Sequence, residues 1–228
     1  MNTLQAICLD LDDTLWDLQP VIPRAERSLY AWFKEHYPAV ADNFTQADVR
    51  GLRQQVAEQN PQLRHDLTAL RMKALAKIAA DSGYPESMAA EAFQVFDEVR
   101  NKVDLYTDVV PALDRLGKHY RLLTLSNGNA NLQRIGLAHY FAQSYSAREL
   151  GVAKPEPGVF HAVCTAEKLP AEQILHVGDH PGNDIIAARH AGMQVAWVNR
   201  QGAEWPDTNV RPDYMVACLE ELATALGV

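Results

Sequence analysis

Short apolar runs alternating with helical segments constrain this chain more than any other feature. Residues 4–9, 121–125, 174–177 and 195–198 read as buried strands, and a weaker strand lies around Tyr145. Helical segments are expected at 111–119, 132–140, 157–168, 184–191 and 219–226. Strands that alternate with helices across short connections are satisfied by a parallel sheet covered on both faces. One stretch breaks the alternation. Between residues 21 and about 102 the periodicity is helical throughout, with segments at 21–36, 45–59, 67–82 and 88–103. Turn signals at Pro38, Asn60-Pro61 and Gly83-Tyr84-Pro85 separate them. The expected fold class is therefore α/β: a doubly wound, mostly parallel sheet interrupted after its first strand by an inserted helical domain. The expected boundaries are 1–16 and 105–228 for the α/β core and 17–104 for the helical domain.

Composition narrows the partners. The chain has 228 residues, 47% hydrophobic and 22% charged, enough for one large domain or two modest ones. Its formal net charge of -8 opposes a nucleic-acid backbone, and the lysines and arginines are scattered rather than gathered on one segment. No apolar run approaches the roughly 18 residues of a membrane span. The first residues, Met1-Asn2-Thr3-Leu4-Gln5, lack the basic stretch of a signal peptide. Cys8, Cys164 and Cys218 form an odd set without paired spacing, so they read as reduced thiols. The expectation is a cytoplasmic protein with neither nucleic acid nor membrane as partner, whose oligomeric state stays open.

In an open parallel sheet, ligands bind beyond the carboxyl ends of the strands. Polar residues collect at those ends. The first strand closes on Asp10-Leu11-Asp12-Asp13-Thr14, the second on Ser126-Asn127-Gly128, and the strand from Ile174 on Gly178-Asp179, with Asp184 five residues later. Lys154-Pro155-Glu156-Pro157 precedes another helix. Crowded carboxylates repel one another unless a cation joins them, and hard oxygen ligands suit Mg²⁺ shared with a substrate phosphate. Asp10 and Asp12 fall on one face of a strand, and the turn after Asp10 can give them separate tasks. Ser126, Asn127 and the amides beside Gly128 can donate to phosphate oxygens. Lys154 can balance charge on a transferring phosphoryl group.

At these residues the chain resembles the haloacid dehalogenase-like hydrolase superfamily, in its phosphatase branch with a type 1 helical cap. The superfamily's Asp-x-Asp-x-Thr matches residues 10–14, its strand-ending Ser or Thr matches Ser126, and its lysine motif matches Lys154. Its Gly-Asp followed by a second aspartate matches Gly178, Asp179 and Asp184. The resemblance implies a Rossmannoid core, Asp10 as nucleophile and Asp12 as general acid/base. It implies Mg²⁺ held by Asp10, Asp179 and the backbone carbonyl of Asp12, with Asp184 ordering its waters, and Ser126 and Lys154 on the phosphoryl group. Asp13 stands where many relatives have glycine.

The expected activity is hydrolysis of a small phosphorylated metabolite. Two alternatives use similar residues. Dehalogenation of 2-halo acids employs the first aspartate but needs no second acid, and Asp12 disfavours it. A receiver-like signalling domain carries a similar acidic set but has no helical insertion. Trp16, Arg24 and Arg27 are candidates for substrate contact: Trp16 suits a flat ring such as flavin, and the arginines suit a small acid. His176 and His180 have the spacing of a zinc pair but straddle a strand and its loop, so no zinc site is expected there.

Overall fold

The computed structural model describes residues 4–206 and 209–228; the expected boundary at residue 1 lies outside them. Six strands form one sheet: β1 (Ala6–Leu9), β2 (Arg121–Ser126), β3 (Gln143–Ser146), β4 (Ile174–Gly178), β5 (Gln194–Val198) and β6 (Tyr214–Val216). Their order is β3-β2-β1-β4-β5-β6, and every neighbouring pair is parallel. Strands β1 and β4 are buried along their whole length, which is why they read as continuous apolar runs. Cys8 in mid-β1 pairs with Leu123 on one side and His176 on the other. Chain direction reverses its progress across the sheet at β1, so the carboxyl ends of β1, β2 and β4 form the crevice that such a switch creates.

The chain divides into two compact units. One comprises Met1–Asp17, Asp104–Gly128 and Leu132–Val228; the other comprises Leu18–Val103 and Asn129–Asn131. The second is helical: α1 (Val21–His36), α2 (Pro38–Asn43), α3 (Gln46–Gln59), α4 (Leu67–Asp81) and α5 (Ser87–Arg100). Helix α1 buries Val21, Ala25, Leu29 and Phe33, a stripe at four-residue spacing, and the last three meet Leu75, Ile78, Met88, Ala92 and Phe96 in one core. Thr45 and Asp48 form a reciprocal capping box at the start of α3, an arrangement typically worth about 1 kcal/mol. Asp66 caps α4 through Ala69 N–H. Helix α2 replaces the turn expected at Pro38, because proline at a first helical position is equally compatible with a helix start.

The sheet unit adds α6 (Val109–Leu116), α7 (Leu132–Ile135), α8 (Ala147–Leu150), α9 (Pro157–Glu167), α10 (Ala187–His190) and α11 (Leu219–Ala225). Cys8, Leu125, Phe160, Val163, Ile185 and Trp197 belong to its core. Two expected helices differ. The segment 132–140 stops after one turn because Gly136 adopts φ +88°, a conformation that ends a helix. The segment 184–191 begins earlier and wider, as a π-helical turn over Pro181–Ile186 that leads into α10. His180 starts that turn by accepting, through Nδ1, from the N–H groups of Gly182 and Asn183 at 3.1 Å each. No helix among the described residues is long and apolar enough to cross a membrane.

Candidate active site

The residues at the strand ends line one cleft of about 160 Å³, which includes Asp10, Asp12, Ser126, Lys154, Asp179 and Asp184. Asp10 lies just beyond β1, and its N–H donates to Val177 O, tying it to the neighbouring strand. Lys154 is buried and donates from Nζ to Asp10 Oδ1 at 2.5 Å and to Asp184 Oδ1 at 2.6 Å. An ammonium has three donors, so one is left for a ligand oxygen. Burial opposes the Lys154 charge, but Asp10 and Asp184 outweigh it and raise the lysine above its usual range.

Asp184 is the most enclosed carboxylate of the group. Besides Lys154, its Oδ1 faces His176 Nε2 at 3.1 Å, and its Oδ2 accepts from His180 N–H at 3.1 Å. Burial works to raise its pKa; Lys154 and His176 prevail and hold it well below the carboxylate range. The close seat exists because residue 178 is glycine. A Cβ there would stand 2.4 Å from Asp184 Cγ.

Asp10 goes the other way. Burial, followed by the charges of Asp184 and Asp179, pushes it well above the usual range despite Lys154. Asp179 rises to about 6, chiefly through burial and then through Asp184, although it accepts from Thr14 Oγ1 at 3.1 Å. Asp10, Asp179 and Asp184 can each offer one oxygen within 4.8 Å of the others. Three hard oxygen donors at that spacing, two of them destabilised by neighbouring negative charge, are the donor set a small divalent cation relieves. The residues fit Mg²⁺.

Ser126 ends β2 and is buried; its Oγ accepts from Gly128 N–H at 2.9 Å, leaving its own proton to donate. Asn127 lines the same cleft. Its side chain is committed to the backbone of Lys154, donating to the carbonyl at 2.8 Å and accepting from the N–H at 2.9 Å. It positions the lysine.

Asp12 contributes no oxygen to the three-carboxylate group. Its Oδ1 accepts from Trp16 Nε1 at 2.8 Å, across a turn in which Asp13 takes φ 63° and donates its N–H to Trp16 O. That left-handed conformation explains why glycine suits position 13. Trp16 is fully buried, so the expected stacking surface for a substrate ring is not there; its indole holds Asp12 instead. Arg24 and Arg27 lie on α1 in the helical unit. Arg24 Nη2 donates to the Lys102 carbonyl, which occupies it, and Arg27 is exposed.

Two contributors carry no motif in the sequence. His176 is wholly buried and bonded to Asp184, with its pKa lowered by burial against the pull of that carboxylate. Arg200 donates from Nε and Nη2 to Thr14 O at 3.1 and 2.8 Å, and from Nη1 to Asp108 Oδ1 at 2.9 Å. It thereby fixes the loop that carries Asp10, Asp12 and Thr14.

A family model for haloacid dehalogenase-like hydrolases matches residues 4–192. The chain belongs to the haloacid dehalogenase-like hydrolases. Among curated members it is 30% identical to the 5-amino-6-(5-phospho-D-ribitylamino)uracil phosphatase of Escherichia coli, over 99% of this chain and 98% of that one. It is 34% identical to the phosphoserine phosphatase of Thermus thermophilus over 63% of this chain and 59% of that one. Among solved structures, a protein described as the 2-haloacid dehalogenase of Pseudomonas syringae matches with a TM-score of 0.93, 35% identity and 99% coverage of both chains. The hydrolase family thus includes relatives of both chemistries.

Proposed function

We propose that this hydrolase is a magnesium-dependent phosphatase acting on a small phosphate monoester, with Asp10 as nucleophile. The observation that carries the reading is the Asp12 carboxylate, held by Trp16 at 2.8 Å beside the Asp10 cleft. An acid there is needed only if the leaving group departs as an alkoxide. The phosphatase from Escherichia coli, similar along the whole chain, supports the same direction.

An oxygen of Asp10 attacks phosphorus, the ester P–O bond breaks, and Asp12 donates its proton to the leaving oxygen. Asp12, now a carboxylate, takes a proton from water as that water attacks the phosphorus of the phosphoaspartate. Inorganic phosphate leaves and Asp10 is restored. Lys154 and the Ser126 hydroxyl bind the phosphoryl oxygens and track the charge that builds on them. Asp10, Asp179 and the Asp12 carbonyl would hold Mg²⁺ with Asp184 in support, and the bound ion would supply neutralising charge to the phosphoryl group. The choice of substrate is assigned to the helical unit.

Dehalogenation of a 2-halo acid is the second reading, favoured by the Pseudomonas syringae structure. There the Asp10 carboxylate would displace halide from carbon, and no proton would be needed by the leaving group. The two are separated by one comparison: phosphate release from an aryl phosphate with Mg²⁺, and halide release from 2-chloropropionate. Phosphate without halide is expected; halide release at comparable rates would reverse the ranking.

A further inference from the structure

The helical unit contains a cation whose charge its surroundings do not answer. Arg71 on α4 is 8% exposed, and its guanidinium lies over the Phe96 ring, 3.4 Å from the centroid. No oxygen among the described residues accepts a hydrogen bond from it. A ring face attracts a guanidinium but cannot accept its in-plane N–H groups.

The neighbours aggravate the imbalance. Burial lowers the Arg71 pKa to about 9, and the charges of Arg53 on α3 and Arg100 on α5 push the same way. Glu26 on α1 opposes them, but it is already engaged by Arg50 Nε at 3.0 Å and faces Arg53 Nη2 at 4.0 Å. Arg53 Nε is also buried without a hydrogen-bond partner. Arg71 still carries its charge at neutral pH. No described residue accepts from Arg71 or from the Arg53 Nε beside it, so the oxygens of a single ligand could complete both.

We propose that the helical unit holds an anion-binding site at Arg71, with Arg53 beside it, that takes a small oxyanion. Two adjacent N–H groups of a guanidinium match the paired oxygens of a carboxylate or a phosphate. Phe96 covers one face of the guanidinium and leaves those edges for the ligand. The site lies wholly within the helical unit, does not use the Asp10 centre and stands whether or not the phosphatase reading does.

The test is calorimetric titration of the full chain, stripped of divalent cations, with malonate and separately with inorganic phosphate. Saturable binding of at least one is expected, weakened about tenfold or more in Arg71→Met, as loss of charged hydrogen bonds implies. Arg71→Lys should recover part of it, and any phosphate bound through Lys154 is the component that Arg71→Met leaves in place. Malonate binding alone identifies a carboxylate ligand; phosphate binding alone identifies a phosphoryl one. Absence of saturable binding, or equal affinity in native and Arg71→Met protein, overturns the proposal. Should Arg71→Met fail to fold, the ¹⁵N guanidinium resonance of Arg71 in the native chain decides. A shift on titration supports the site, and an unmoved signal overturns it.

Discussion

Trp16 Nε1 and Asp12 Oδ1 stand 2.8 Å apart, so the indole fixes one oxygen of the proposed acid/base. Trp16→Phe keeps the buried bulk and removes the donor. Turnover of alkyl phosphates should fall roughly tenfold, the effect of one charged hydrogen bond. Asp12→Asn should cost more, roughly 10² to 10⁴, and less for an aryl phosphate, whose leaving oxygen needs little protonation. An unaltered alkyl-phosphate rate in Trp16→Phe would remove the indole from the mechanism.

Asp10→Asn should abolish turnover, because an amide forms no phosphoaspartate. Trapping of ³²P on the native chain from a labelled ester, and its absence from the variant, checks the assignment. Exhaustive removal of divalent cations should also stop phosphate release, and full activity afterwards would contradict the metal role.

Gly178→Ala tests the seat of Asp184. The added methyl would stand 2.4 Å from Asp184 Cγ, so the carboxylate must leave its position. Mg²⁺ titration of the rate should show affinity reduced about tenfold or more, in line with disturbed metal support. Equal Mg²⁺ affinity in native and variant protein would show that Asp184 has no part in the metal site.

Asp179 gives a pH dependence with a definite sign. Its folded pKa, about 6, exceeds the unfolded value near 3.8, so the folded state binds the proton more tightly. In metal-free protein the stability is greatest at low pH in this window and falls as pH rises from about 4 to 6. At about 1.4 kcal/mol per unit the whole effect is at most roughly 3 kcal/mol. Asp10, also raised, adds with the same sign. Saturating Mg²⁺ should reverse the slope, because it binds the ionised carboxylates. Melting temperatures across that range, with and without Mg²⁺, decide it; a rising metal-free profile would contradict the assignment.

The chemistry is legible in the sequence where it depends on position along a strand. Asp10, Ser126 and Asp179 stand at the ends of apolar runs and Lys154 just ahead of a helix, and a parallel sheet delivers all four to one edge. Helix α1 is equally plain, because its four-residue stripe is a local pattern. The rest depends on partners distant in sequence. His176 sits in mid-strand and looks like packing; only the backbone approach allowed by Gly178 brings Asp184 onto it. Asn127 and Trp16 stand close to the motifs, yet their bonds to the Lys154 backbone and to Asp12 could not be foreseen, because a side chain's partner is not written in its residue type. Strand β6 is three residues long and only half-buried, too short to leave an apolar run.

Arg200 is the most distant of these partners. Asp108, 8% exposed, accepts from Arg200 Nη1 and Nη2 and from Leu219 N–H at 2.7 Å, and these bonds hold its pKa down against burial. Arg200→Met should destabilise the protein by roughly 3 kcal/mol, because it strands a buried carboxylate. Chemical denaturation measures this, and a change below about 1 kcal/mol would deny the clamp its weight.

The same clamp orders events during synthesis. The Thr14 carbonyl leaves the ribosome 186 positions ahead of the guanidinium that fixes it. Chains emerge at about 5–20 residues per second, so the nucleophile loop waits roughly ten seconds or more for its anchor. A nascent chain therefore carries its acidic loop unanchored while residues 18–103 and most of the sheet unit follow. A loop made early is anchored late, and a chain stalled before residue 200 would hold Thr14 without its clamp.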